Sequence, residues 1–407
     1  MKIFVLTLGC KVNQHESQQV ADQLSVMGHS VVGVVEDAEL FIVNTCTVTQ
    51  VADKKSRQMI RQVARKNPLA KLIITGCMPE NPTTPIERPA GSAIVLKADL
   101  AAYMTGLPRP AVPASSTSQG RVRRTLLIQT GCDYYCSYCI IPTVRHGRVS
   151  FPQNKILQDF KQLVCEGVKE VVLTGINLGT WQEAGQDLTD LVEALLALGG
   201  DVRIRLGSLE PNLVSDRLLT LMGAHPRLAT HVHLPLQGAA NSLLKRMNRR
   251  YSIEDYRALC RRVAAAKRPI NITTDLIVGY PEETEAEFES AIRLIEAGIF
   301  LDVHAFAYSV RQGTVAASKP QLSPVLVRER MKRVLSVIEA AKRAKLESMH
   351  GQRATVLVET VQKGSAIGYT EGYVKVMIPN FEGAINQFVE VVLGAPVLVG
   401  KEWGLTA

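Results

Sequence analysis

The chain has 407 residues, enough for two or three folded units with sizeable cores, and its 46% hydrophobic and 21% charged content excludes global disorder. No apolar run approaches the ~18 residues of a membrane span, and the N-terminal MKIFVLTLGCKVNQ enters a strand-like run without a cleavable leader, which predicts a cytoplasmic protein with no membrane contact. A net charge of +9, with the excess between residues 107 and 350, predicts a polyanionic partner.

In chain order, the apolar runs IFVLTL (3–8), LFIVNT (40–45) and KLIIT (71–75) alternate with helical stretches and predict an open, doubly wound parallel sheet. A cysteine follows each run: Cys10, Cys46 and Cys77. The carboxyl ends of parallel strands share one edge, so these three are expected to converge on a three-thiolate metal site, three unrelated buried cysteines being the alternative. Gly9 and Gly76 let the backbone turn sharply there. The helical pattern at 52–66 sets Lys54, Arg57, Arg61 and Arg65 on one face, opposite Ala52, Met59, Ile60 and Val63. Such a ridge suits phosphates, and the alternative is a solvated face. LPRPAVPASSTSQG, 107–120, reads as a linker.

Beyond it, Cys132, Cys136 and Cys139 stand in GCDYYCSYC. Three thiolates at this spacing leave a four-iron cube one ligand short, so one iron stays open for chemistry, whereas an electron carrier supplies all four anchors. A three-cysteine zinc site completed by His146 is the alternative, weakened by the lack of a second Cys-x2-Cys pair. Tyr138, between the last two cysteines, is placed to pack against the adenine of a nucleoside cofactor. Cys165 and Cys260 fall in helical patterns and read as buried filler.

Six strand-like runs, 124–129, 169–174, 202–206, 230–234, 271–277 and 301–307, each feed a helical pattern, which suits a partial (β/α)6 barrel better than a closed eight-unit one. Polar motifs follow those strands, where barrel active sites form. Among them, Gly175 gives a cofactor room at the backbone, Asn177, Ser208 and Gln237 offer neutral hydrogen bonds, and Glu210 an acceptor. Ordinary loop capping is the alternative for each. KRMNRR supplies Lys245, Arg246, Arg249 and Arg250, with Arg121, Arg123 and Arg124, as further phosphate-facing charge without nearby carboxylates. A long charged helix at about 324–347 leads to glycine-punctuated strands over 353–407, expected to form a small C-terminal antiparallel β-barrel.

GCDYYCSYC resembles the signature of the radical S-adenosylmethionine (SAM) enzymes. With TLGCKVNQHES, NTCTVTQVADKKSRQMIRQ, LPLQGAANSLLKRMNRRYS, DLIVGYPEETEAEF, FAYSVRQGT and GYTEGYVKV in order, nearly the whole chain is similar to the methylthiotransferases. The resemblance implies an N-terminal methylthiotransferase domain (1–106), the linker, a radical SAM core (121–350) and a TRAM-like β-barrel (351–407) associated with RNA. It implies two 4Fe-4S clusters: one on Cys132, Cys136 and Cys139, where SAM is split to a 5′-deoxyadenosyl radical, and one on Cys10, Cys46 and Cys77 that carries sulfur. It further implies tRNA, at the anticodon stem-loop, as substrate and an electron donor such as flavodoxin or ferredoxin, and leaves the oligomeric state open.

LGCKVNQ and LTGINLG look most like the branch acting on N6-threonylcarbamoyladenosine. The alternatives are N6-isopentenyladenosine, a ribosomal-protein aspartate, and a non-catalytic iron–sulfur RNA-binding protein. The chain departs from the family pattern at His146, after Arg145, at Phe151, after Ser150, and over residues 79–106.

Overall fold

The computed structural model describes residues 1–86, 88–107 and 122–407, so all but the first residue of the expected linker, and Arg121, lie outside it. The chain forms two compact units. The first joins Met1–Gly120 to Gly131–Arg148 and Ser309–Ser318, and the second comprises Arg121–Thr130, Val149–Tyr308 and Lys319–Ala407.

In the first unit, β1 (Lys2–Thr7), β2 (Ser30–Val31), β3 (Leu40–Thr45), β4 (Lys71–Gly76) and β5 (Ser92–Ile94) form one sheet in the order β2-β1-β3-β4-β5, parallel throughout. Alternation along β3 divides its wholly buried side chains between two layers. Leu40 and Ile42 pack with Val20 and Leu24 of α1 (Lys11–Val26) and Leu100 and Met104 of α3 (Lys97–Thr105). Phe41 and Val43 pack with Ile60 and Val63 of α2 (Gln50–Lys66). Helices therefore cover both faces, as parallel strands require. Thr49 caps α2 by accepting from the Ala52 amide. The segment 131–148 contributes α4 (Ile141–Val144), and 309–318 contributes Arg311, whose buried guanidinium meets Asp53 at 2.6 Å.

In the second unit the six expected strands appear as β6 (Arg123–Leu127), β9 (Glu170–Thr174), β10 (Arg203–Leu206), β11 (His231–His233), β12 (Asn271–Val278) and β13 (Phe300–Ala307); the short β7 (Gln129–Thr130) and β8 (Val149–Ser150) pair separately. They form two parallel three-stranded sheets, β10-β9-β6 and β11-β12-β13, linked by single parallel bridges at Ile204–Leu228 and Ser208–His233. Helices α5 (Gln153–Cys165), α6 (Leu188–Ala197), α7 (Asp216–Ala224), α8 (Asn241–Arg246), α9 (Ile253–Ala264) and α10 (Glu285–Glu296) cover one face through a continuous core that includes Phe160, Leu195, Met222, Tyr256 and Phe288. Cys260 joins that core, but Cys165 is exposed, because it lies across α5 from the buried face of Ile156, Phe160 and Leu163.

Helix α11 (Pro324–Glu347) leads to β14 (Arg353–Gln362), β15 (Ser365–Thr370), β16 (Lys375–Ile378), β17 (Phe388–Val392), β18 (Pro396–Val399) and β19 (Glu402–Thr406), ordered β17-β14-β15-β16-β19-β18. The pairings are antiparallel except β16 with β19, where the β18–β19 hairpin docks in the same direction. This sheet is tied to β9 and β10 by buried charge. Glu170, fully buried, takes Arg203 at 2.5 Å and Arg205 at 2.8 Å, and those guanidinia donate on to the Thr355, Tyr369, Thr370 and Glu371 carbonyls. Burial alone would raise the Glu170 carboxyl, but Arg205 and Arg203 outweigh it and hold it well below the usual range. No helix among the described residues is long and apolar enough to cross a membrane.

Candidate functional site

Cys10 stands at the start of α1, Cys46 just past β3 and Cys77 just past β4, so the three follow adjacent strands β1, β3 and β4 at one sheet edge. Asn13, one turn into α1 and fully buried, sits among them, its Oδ1 3.6 Å from the Cys10 sulfur and 3.8 Å from that of Cys77. Its amide nitrogen donates to the Leu8 and Thr45 carbonyls, fixing that side chain to two strand ends. Gly9 has φ +105°, and a Cβ there would stand 3.0 Å from the Cys46 sulfur; at Gly76, φ +97°, it would meet Thr45 backbone at 2.4 Å. Lys97 Nζ approaches the Cys77 sulfur to 3.3 Å. Burial pushes the Cys46 thiol up to about 11, and its Cys77 and Cys10 neighbours add to the rise. A cation bound here would offset the charge that burial and crowding disfavour, so that its binding favours the thiolate forms.

Cys132, Cys136 and Cys139 are half-buried and belong to the same unit. Gly131, φ +71°, lets the loop close: a Cβ there would lie 1.5 Å from the Gly147 carbonyl oxygen. Ile140 and Val144, just past the loop, pack on Cys77. Arg145 is buried, grips Glu16 of α1 with both nitrogens at 2.7 and 2.9 Å, and donates to Asn13 Oδ1 at 2.9 Å. Burial works against its charge, but the Glu16 carboxylate holds it protonated through both its hydrogen bond and its charge. Asn13 and Arg145 were not singled out from sequence as site residues. The i, i+3 spacing of Asn13 from Cys10 was an available signal; the Arg145 partners lie over a hundred residues away, with none. Tyr138 is half-buried in the loop, and His146 is exposed beside Arg145.

In the second unit, Gly175 and Asn177 follow β9, Ser208 and Glu210 follow β10, and Gln237 follows β11. Gly175 is required by packing, since a Cβ would stand 2.9 Å from Gln129 Oε1, and that oxygen also accepts from the Asn177 amide at 2.9 Å. Gln129 is fully buried at the end of the expected strand run 124–129, which gave no sign of a functional role for its side chain. Asn177 is 4% exposed, and among the described residues neither its side-chain Oδ1 nor its Nδ2 has a hydrogen-bond partner. Leaving an amide so costs about 1–3 kcal/mol, which a hydrogen-bonding ligand would recover. Gln237 adopts φ +63° while its backbone bridges to Asp275 and Ile277 of β12. Ser208 is exposed, and Glu210 is held by Arg249 at 2.5 Å.

The basic residues divide. On α2, Lys54, Arg61 and Arg65 are exposed and Arg57 half-exposed, with Ile60 and Val63 buried opposite. Lys245 and Arg250 are also exposed. The expectation that the other arginines lack nearby carboxylates fails: Arg246 pairs with Glu287 at 2.6 Å, Arg249 with Glu210, Arg123 with Glu359 and Arg124 with Glu166. The Arg249 side chain is only 3% exposed and lies over the Tyr251 ring. Those partners are remote in sequence, so no local charge pattern reveals them.

Residues 2–96 match the Uncharacterized protein family UPF0004, and 126–295 match the Radical SAM superfamily. A threonylcarbamoyladenosine tRNA methylthiotransferase (MtaB) of Chlamydia pneumoniae is 34% identical, over 95% of this chain and 94% of that one. The MtaB of Thermotoga maritima is likewise 34% identical, over 91% and 89%. A tRNA-2-methylthio-N(6)-dimethylallyladenosine synthase of Cereibacter sphaeroides is 30% identical over 99% of both. Among solved structures, the radical S-adenosylmethionine methyltransferase TsrM from Kitasatospora setae, with cobalamin and a [4Fe-4S] cluster bound, shares the fold at TM-score 0.52 and 12% identity, covering 78% of this chain and 76% of that one.

Proposed function

Because the chain belongs to the radical SAM methylthiotransferase family, with SAM and 4Fe-4S as its cofactors, we propose that it inserts sulfur and a methyl group at C2 of the adenine of N6-threonylcarbamoyladenosine beside the tRNA anticodon. The observation that carries this reading is the pair of cysteine triads in one unit, with Cys10 and Cys77 of the strand-end triad against Asn13. In it, Cys132, Cys136 and Cys139 hold one cluster and Cys10, Cys46 and Cys77 a second, each with an open iron. When bound, one cluster would pass an electron from a donor to SAM to cleave it, the other would carry the sulfur, and a second SAM would supply the methyl group.

The chain's own residues hold and orient. Asn177 carries a buried amide suited to a hydrogen-bonding ligand such as SAM, with Gln129 fixing its backbone. Tyr138, Gly175, Ser208, Glu210 and Gln237 complete the proposed cofactor set. Lys54, Arg57, Arg61 and Arg65, with Lys245 and Arg250, meet tRNA phosphates. The similarity to MtaB proteins supports the threonylcarbamoyl substrate. The Cereibacter relative, as long and nearly as similar, favours dimethylallyladenosine as a second reading.

Nucleoside mass spectrometry of tRNA from a deletion strain separates them. Loss of 2-methylthio-N6-threonylcarbamoyladenosine with its unthiolated precursor retained is the expected result. Loss of the dimethylallyl product instead selects the second reading, and unchanged methylthio nucleosides contradict both.

A further inference from the structure

His233, Asp275 and His304 come from three adjacent parallel strands, β11, β12 and β13. Their strand neighbours Val232, Leu276 and Val303 are buried in the helix-packed core. Side chains alternate along a strand, so the two histidines and the aspartate share the opposite, inner face. His233 Nε2 stands 3.2 Å from one Asp275 oxygen, and His304 Nδ1 stands 3.3 Å from the other. The three ligand atoms all lie within 4.8 Å of one another.

In a tetrahedral site with metal–ligand bonds of about 2.0–2.1 Å, neighbouring donor atoms stand about 3.3–3.4 Å apart. Each separation is close to that edge length, but the two histidines approach different Asp275 oxygens, so a single donor oxygen shared by both edges requires a rotation of the carboxylate. We propose that His233, Asp275 and His304 form a binding site for a divalent transition-metal ion of the zinc class, separate from the cysteine triads, with a fourth position open to water or an anionic group.

Two imidazoles and one carboxylate suit zinc, cobalt or nickel rather than magnesium or calcium, which take oxygen donors. Thr273 supplies the outer contact that a ligating histidine needs. Its Oγ1 lies 2.9 Å from His233 Nδ1, which leaves Nε2 directed at Asp275. The same hydroxyl lies 2.8 Å from His231 Nε2, so Thr273 is itself held on two sides. Side-chain exposures of 13% for His233, 28% for Asp275 and 50% for His304 give an ion a path from solvent.

The test uses the full-length enzyme with its iron–sulfur content assembled, dialysed to equilibrium against micromolar free zinc and then counted by elemental analysis. The wild type is expected to hold one zinc more than His304→Ala or Asp275→Asn, at unchanged iron content. Thr273→Val is expected to weaken binding about 10- to 100-fold, the usual cost of removing an outer-shell partner. Cobalt in place of zinc should show histidine-nitrogen couplings in its electron paramagnetic resonance, a readout on the wild type alone should a variant fail to fold. Equal zinc in wild type and variants, or cobalt without nitrogen couplings, overturns the proposal and leaves the three residues as a proton-sharing hydrogen-bonded group.

Discussion

Cys132, Cys136 and Cys139 share one loop, whereas Cys10, Cys46 and Cys77 reach one sheet edge only because β1, β3 and β4 are neighbours. The first triad is set by spacing along the chain, with Gly131 closing against Gly147. The second is set by the fold, and its geometry depends on the parallel register, on Gly9 and Gly76, and on Asn13 bonded to two strand ends. A local site needs little of the surrounding structure, but a strand-end site is lost when its sheet is perturbed. Arg145 couples them, since it follows the loop yet bonds Asn13 and Glu16 on α1.

The largest effect should come from the cysteines. Cys136→Ala is predicted to abolish SAM cleavage, read as 5′-deoxyadenosine release under reducing, oxygen-free conditions. Cys46→Ala should keep cleavage and lose sulfur insertion. Equal loss of cleavage in both would erase the proposed division of labour.

Glu170→Gln provides the contrast of damage far from either triad in sequence. Removing one partner of a buried charge cluster costs about 3–5 kcal/mol, here because Arg203 and Arg205 stay buried without their carboxylate. Urea unfolding should record that loss while folded protein keeps its full iron content. The carboxyl is held below its unfolded value, so its contribution is complete above about pH 4.3 and is lost as the pH falls. The variant should lack that acid-side decline in stability.

Arg145→Met tests the link between the triads. Glu16 keeps partial access to water, 24% of its side chain, so the expected cost is about 2–3 kcal/mol, below that of a fully buried pair. Iron should be lost first from the strand-end triad, seen as a fall in iron content with SAM cleavage retained. An unchanged iron content would separate Arg145 from the site.

The smallest effects are expected on the surface. Replacing Arg61 and Arg65 by Gln should weaken tRNA binding uniformly and lower the salt slope of log K by roughly 0.7–0.9 for each phosphate no longer neutralised. Arg249→Gln should destabilise the protein without altering that slope, because its charge is spent on Glu210. A change of slope for Arg249 and none for the α2 pair would reverse the assignment.

Much of this was legible in the sequence where a side chain reports its own surroundings. The apolar runs around Ile3, Phe41 and Ile73 mark strands because burial demands it, and the cysteines just past them mark one edge because parallel strands end together. The pairings were not legible. Arg249 with Glu210, Arg145 with Glu16 and His233 with Asp275 each join residues on separate elements, and only packing brings them together. Cys165 shows the limit of a helical pattern taken without its face: it lies opposite the buried Ile156, Phe160 and Leu163 of α5 and so meets solvent.

The central claim is that each triad holds its own cluster. It is tested most directly by counting iron and acid-labile sulfide in oxygen-free, reconstituted protein beside two triple variants, one lacking Cys10, Cys46 and Cys77 and the other Cys132, Cys136 and Cys139. The account predicts two clusters in the parent and one in each variant. A parent that holds a single cluster, or a variant that keeps the full content, contradicts it.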